Sequence, residues 1–112
     1  MAEEQDLGWF SVRCVFRCRP RRRWRTYEER ITVWHARSFE EAIAMAEVEA
    51  GEYAAASGAD RITYLGLAEA YRLFDALGEG AEVFSLMRDS RLGKRKYLRR
   101  FFETGRERQG SL

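Results

Sequence analysis

Apolar and polar positions alternate from Trp9 to Cys18: Phe10, Val12, Cys14, Phe16 and Cys18 fall on one side, with Ser11, Arg13 and Arg17 on the other. A period of two marks a strand with one buried face. Tyr27 to Ala36 repeats the pattern. There Ile31 and Val33 share a face with Tyr27, Glu28, Arg30 and Thr32 point the other way, and Trp34 is the apolar exception. Between these runs lies Arg19-Pro20-Arg21-Arg22-Arg23-Trp24-Arg25, where proline punctuates the chain and the guanidinium groups require water. The pattern predicts a hairpin with a basic, aromatic tip.

The period then changes to that of a helix. Phe39, Ala42, Ile43, Ala46, Ala50 and Tyr53 recur at helical spacing, opposite Glu41, Glu49 and Glu52. Ser38 can cap this helix, Glu41 can reach back to complete a capping box, and Glu40 and Glu41 favour the positive end of the helix dipole. The helix is expected to stop near Gly58. Its small alanines allow it to lie close to a sheet.

Arg61 to Asp75 is ambiguous. Leu67 to Leu73 has helical propensity, whereas Ile62, Tyr64, Leu65 and Gly66 favour a strand. The turn signal Leu77-Gly78-Glu79-Gly80, leading into Ala81 to Met87, decides for a strand, because it would complete a second hairpin. A terminal helix follows from about Gly93 to Thr104, with Tyr97, Leu98, Phe101 and Phe102 on one side and Lys96, Arg99 and Arg100 on the other. The predicted order is ββαββα, an α+β fold with a four-stranded antiparallel sheet and both helices packed on one face. It occupies residues 9–105, between a flexible N-terminus, 1–8, and a flexible C-terminal tail, 106–112.

Composition fits one self-sufficient core: 112 residues, 46% hydrophobic, 34% charged, with a single proline. The net charge of +2 hides an asymmetry. Ser11 to Tyr27 has seven arginines and no acid, and Arg88 to Arg100 has seven basic residues against Asp89. Ser38 to Glu82 has ten acids against Arg61 and Arg72. Such polarity serves solvated faces, internal ion pairs or an anionic partner. Glu69, Asp75 and Glu82 are placed to meet arginines of the first hairpin across the sheet. Acidic residues at the N-terminus argue against a secretory signal, and no apolar run approaches the ~20 residues of a membrane span. A cytoplasmic protein without a membrane partner is expected.

Candidate chemistry is sparse. Cys14 and Cys18 sit four apart on a strand, with Cα atoms about 13 Å apart, too far to bridge. One histidine and a C-x-x-x-C spacing match no common zinc motif, so neither a metal nor another cofactor is expected. His35 lacks an evident nucleophile and orienting partner, and no catalytic residue is assigned. Neither a phosphate-binding glycine loop nor a nucleophile elbow occurs. A small enzyme or small-molecule binder would need a pocket collecting His35, Cys14 or buried carboxylates on one side of the sheet.

The segments Trp9-Phe10-Ser11-Val12-Arg13-Cys14-Val15-Phe16, Tyr27-Glu28-Glu29-Arg30-Ile31-Thr32, Ser38-Phe39-Glu40-Glu41-Ala42-Ile43, Tyr64-Leu65-Gly66-Leu67-Ala68 and Gly80 to Leu86 together resemble a bacterial family of short uncharacterised proteins, a domain of unknown function. The resemblance runs from Trp9 to about Gln109 and lies in the succession of segments. It implies the strand reading of Tyr64 to Phe74, and no reaction or cofactor. This chain differs in its longer, more basic first hairpin and in Gly93-Lys94-Arg95-Lys96.

The expectation is therefore a noncatalytic interaction or accessory protein. It would bind another protein, or itself as a homodimer, through a sheet edge, the basic hairpin or the terminal helix. The partner-binding candidates are Arg19, Arg21, Arg22, Arg23, Trp24, Arg25, Lys96, Arg99 and Arg100. The second hypothesis is nucleic-acid binding, with arginines on phosphates and the indole stacked on a base.

Overall fold

The computed structural model describes residues 7–109. Residues 1–6 and 110–112, which belong to the segments expected to be flexible, lie outside the described residues. The elements are β1 (Gly8–Cys18), β2 (Tyr27–Ala36), α1 (Phe39–Ala56), β3 (Ile62–Arg72) and α2 (Lys94–Tyr97), which continues as a π-helical turn over Leu98–Phe102. No helix among the described residues is long and apolar enough to cross a membrane.

The fold is α+β, with a three-stranded antiparallel sheet in the order β2-β1-β3. The expected fourth strand is absent: Ala81 to Met87 forms no strand, so the order is ββαβα. β1 occupies the centre and has both edges filled, leaving only the outer edges of β2 and β3 for a further strand. The chain takes neither edge. Its turn closes through the Ala81 N–H, which donates to the Gly78 carbonyl at 3.1 Å. Beyond it, Glu82 accepts a hydrogen bond from the Tyr71 hydroxyl, and Phe84 lies beside Tyr71 and under the Arg13 guanidinium. Those contacts place the segment on a sheet face instead of alongside an edge.

The ambiguous stretch is extended over Ile62–Arg72, with a wide bulge. Cys14 lies opposite Ala68 and Phe16 opposite Tyr64, so Leu65, Gly66 and Leu67 all stand against Val15. Gly66 supplies the left-handed conformation that the bulge requires, at φ 79°.

α1 lies across one face of the sheet. Ala42, Ala46 and Ala50 are fully buried against Phe10, Val12, Cys14 and Phe16 of β1, with Ala36 and Ile62 completing the core. Phe10 meets Phe39 edge-on at 5.1 Å, and Phe16 packs against Tyr53 and Tyr64 at 5.2 and 5.4 Å. The helix starts as its sequence indicates: Ser38 Oγ accepts from the Glu41 N–H at 3.0 Å. Glu41 Oε1 reaches one residue further back than a capping box requires and accepts from the Arg37 N–H at 3.0 Å, which with the Arg37 guanidinium holds its carboxyl below the usual range.

The apolar set of β2 lies on the side away from α1. Phe10 is opposite Trp34 and Cys14 opposite Arg30, and directly paired residues share a sheet face, so Glu28, Arg30, Thr32 and Trp34 face the helix. Tyr27, Ile31 and Val33 occupy the far face. The polar residues facing α1 find partners there. Arg30 forms a bidentate pair with Glu49 at 2.8 and 3.1 Å and lies over the Tyr53 ring, while Tyr53 donates to Glu28 at 2.7 Å. Trp34 Nε1 donates to Thr32 at 2.7 Å.

α2 departs from expectation as well. Its backbone comes within 8 Å of neither the sheet nor α1, so only one helix packs on the sheet. The radius of gyration, 16.6 Å, exceeds the roughly 13 Å of a compact chain this long, consistent with an arm that leaves the body.

Candidate functional site

The tip between β1 and β2 is built by backbone bonds. Cys18 N–H donates to the Thr26 carbonyl at 2.8 Å, and Arg21 and Trp24 exchange a pair of bonds at 3.2 and 2.9 Å. This closes a tight reversal with Arg22 and Arg23 at its corner. Arg22 stands in the left-handed region at φ 55°, a conformation that disfavours any side chain with a Cβ by about 1 kcal/mol. The turn is tied sideways to the α1–β3 connection: Arg19 N–H donates to the Arg61 carbonyl at 2.8 Å, and its guanidinium donates to the carbonyl of Ala59.

Arg17, Arg19, Arg21, Arg22, Arg23 and Arg25 are all exposed, as is Trp24, whose side chain is 72% accessible. The ion pairs of the described residues join Arg13 to Glu29 and Glu69, Arg30 to Glu49 and Arg37 to Glu41, and none includes a tip arginine. The expected cross-sheet pairing is therefore met within the strands by Glu69 with Arg13. Glu82 binds Tyr71 instead, and no acid among the described residues forms an ion pair with a tip arginine.

Two further arginines belong to this end of the molecule. Arg61 is held beside Arg19, and the Cys18 thiol, pushed up first by burial and then by the Glu28 carboxylate, is drawn the other way to a smaller extent by Arg108. Sequence pattern gives no sign of either, since both depend on where the chain returns in space.

Lys96, Arg99 and Arg100 lie together on the terminal helical segment. With Leu92 they line a shallow depression of about 330 Å³. Tyr97 and Phe101 turn toward Arg88, whose guanidinium donates to the Tyr97 hydroxyl at 3.3 Å and stacks 4.4 Å from the Phe101 ring. Leu98 and Phe102 remain exposed. The structure thus resolves the candidate residues into two groups, one on the hairpin and one on the arm.

A second depression, about 310 Å³, went unrecognised in the sequence. It lies where β2 meets α1 and is lined by Trp34, Met45, Val48, Glu49 and Glu52. Its only sequence signal is Trp34 as an apolar residue on an otherwise polar strand face. The opening combines exposed hydrocarbon with two carboxylates.

His35 and Cys14 do not converge. His35 stacks on Trp9 at 4.6 Å on the face away from α1, whereas Cys14 is buried beneath the helix. Burial pushes the Cys14 thiol above its ordinary range, and the Glu47 and Glu49 carboxylates add to this, against a hydrogen bond with Tyr64 that lowers it. Both cysteines are free and buried. Among the described residues, no three His, Cys, Asp or Glu side chains cluster as a metal site would require. Comparison with protein-family models, curated proteins and solved structures finds no match to this chain.

Proposed function

We propose that this chain is a noncatalytic interaction protein whose first partner is a second copy of itself, joined by exchange of the C-terminal arm. The observation that carries this reading is the exposed hydrocarbon of the terminal helical segment, where Leu98 and Phe102 are 43 and 73% accessible; Phe74, Leu86 and Met87, in the chain that leads to it, are exposed as well. Single apolar residues are common on a surface, but two on one helical segment whose backbone stays clear of the sheet and α1 mark an interaction site.

Charge complementarity names the occupant. The helical part of the arm presents Leu98 and Phe102 among Lys94, Arg95, Lys96, Arg99 and Arg100. The depression at Trp34, Met45 and Val48 presents apolar surface flanked by Glu52 and by Glu49, which Arg30 already holds, so that Glu52 carries the charge open to a partner. Every copy carries both surfaces, so reciprocal exchange closes as a two-fold dimer. The apolar contacts supply affinity, while the opposed charges select orientation and speed association.

Sedimentation equilibrium tests this directly, with an expected mass twice the 13.1 kDa of the chain. L98D/F102D on the arm and V48R in the depression should each give monomers. An equimolar mixture of the two variants should recover a dimer, because one intact arm then meets one intact depression. A monomeric parent chain at concentrations of about 100 μM, corresponding to less than ~6 kcal/mol of association, would remove the reading.

A further inference from the structure

We propose that the hairpin end of the sheet is a second, independent binding site, and that its ligand is single-stranded nucleic acid. The argument begins with the cost of the arrangement. Six exposed arginines, Arg17, Arg19, Arg21, Arg22, Arg23 and Arg25, repel one another within a few residues, and none has a carboxylate partner among the described residues. Arg61 adds to the same end through its bond to Arg19. Among the described residues Glu29 and Glu69 pair with Arg13 and Glu49 with Arg30, Glu28 accepts from Tyr53, and Asp60, beside Arg61, forms no ion pair with these arginines. Folding does not require such a cluster, because none of these side chains enters the core. A polyanion relieves the repulsion and releases its own condensed counterions.

Trp24 narrows the chemistry. Its side chain is exposed, with Arg23 and Arg25 as its neighbours in the chain, while the paired backbone bonds to Arg21 fix the turn that bears it. An exposed indole among guanidinium groups is a platform on which an unpaired base can stack while its phosphates are gripped on either side. In a duplex the base faces are already stacked, which leaves the indole without a ring to cover. An acidic protein surface would satisfy the arginines but not the aromatic face. The pairing of both features on one turn therefore favours a single strand, read without sequence preference.

Fluorescence anisotropy with labelled oligothymidylate and oligouridylate of about 20 nucleotides provides the test, with a duplex of equal length and polyglutamate as competitors. Single strands should bind, and affinity should fall on the order of 100-fold between roughly 50 and 200 mM salt, the response expected when about five to six phosphates are neutralised. R21A/R22A/R23A should flatten the log–log salt slope by about 2. W24A should weaken binding about 10-fold with the slope unchanged, since stacking releases no counterions. All four positions are exposed, and circular dichroism should match the parent chain. Absence of binding at the lower salt would overturn the proposal. So would polyglutamate or duplex competing as well as the single strand, or a W24A variant of parental affinity.

Discussion

Replacing Ser11 by alanine should stabilise the protein. Ser11 sits on the central strand between Val33 of β2 and Tyr71 of β3, on the face away from α1, and it has no accessible surface. Its Oγ makes no hydrogen bond, alone among the buried side-chain polar atoms of the described residues. A buried hydroxyl without a partner costs about 1–3 kcal/mol by the measure of protein substitutions. Deleting the oxygen recovers that amount, less the few contacts it makes, each worth about 0.1–0.2 kcal/mol. A net gain of about 1 kcal/mol follows, which raises the melting temperature of a domain this size by roughly 4–8 °C. Urea denaturation followed by circular dichroism should show a higher midpoint with an unchanged m-value, because the surface exposed on unfolding is nearly the same. A loss of about 1 kcal/mol or more in S11A would show that the hydroxyl holds a hydrogen bond in solution and would refute the reasoning.

Two other perturbations follow from the packing. Burial first, and then the hydrogen bond to Glu28, push the Tyr53 hydroxyl up to about 12, so the fold favours the protonated phenol. This contribution is fully present below the ordinary tyrosine value of about 10 and declines between about pH 10 and 12, where the unfolded chain ionises first. The urea midpoint should drop across that window, and Y53F should reduce the drop without abolishing it, because Tyr64 and Tyr71 are shifted in the same direction. G66A should destabilise the fold by about 1–2 kcal/mol despite open space around the position, because φ 79° is strained for any residue with a Cβ. A midpoint equal to that of the parent chain would mean that the bulge relocates.

Much of the scaffold is readable from local pattern. The alternation of β1 places Phe10, Val12, Cys14 and Phe16 on the core face, and Ser38 with Glu41 marks the start of α1. The turn signal that favoured an extended Arg61 to Asp75 led to the right state, though its own hairpin does not form. The fourth strand failed because pairing is a non-local choice: Ala81 to Met87 has an acceptable strand composition, but contacts with Tyr71 and Arg13 draw it onto a face. β2 misleads for a related reason. Its apolar alternation is genuine, but which face α1 covers is set by β1, so Arg30 goes inward to Glu49 while Ile31 and Val33 point outward. At the candidate site, the arginines and Trp24 were plain from composition. Their lack of carboxylate partners among the described residues was not, since it depends on how Arg13 captures both Glu29 and Glu69 from neighbouring strands.

The strand order carries a consequence for how the protein is made. β1 leaves the ribosome first, yet its two edges are completed at different times: β2 follows after one short turn, whereas β3 must wait for α1 and the whole intervening chain. Until then the nascent hairpin exposes, besides the outer edge of β2, the unpaired amides of β1 beside Phe10, Val12 and Phe16, the kind of edge that recruits another nascent chain. The arginines at its turn give neighbouring hairpins on a polysome the same charge and hold them apart. The exposed arginines of the tip are thus expected to serve as gatekeepers while the molecule is incomplete.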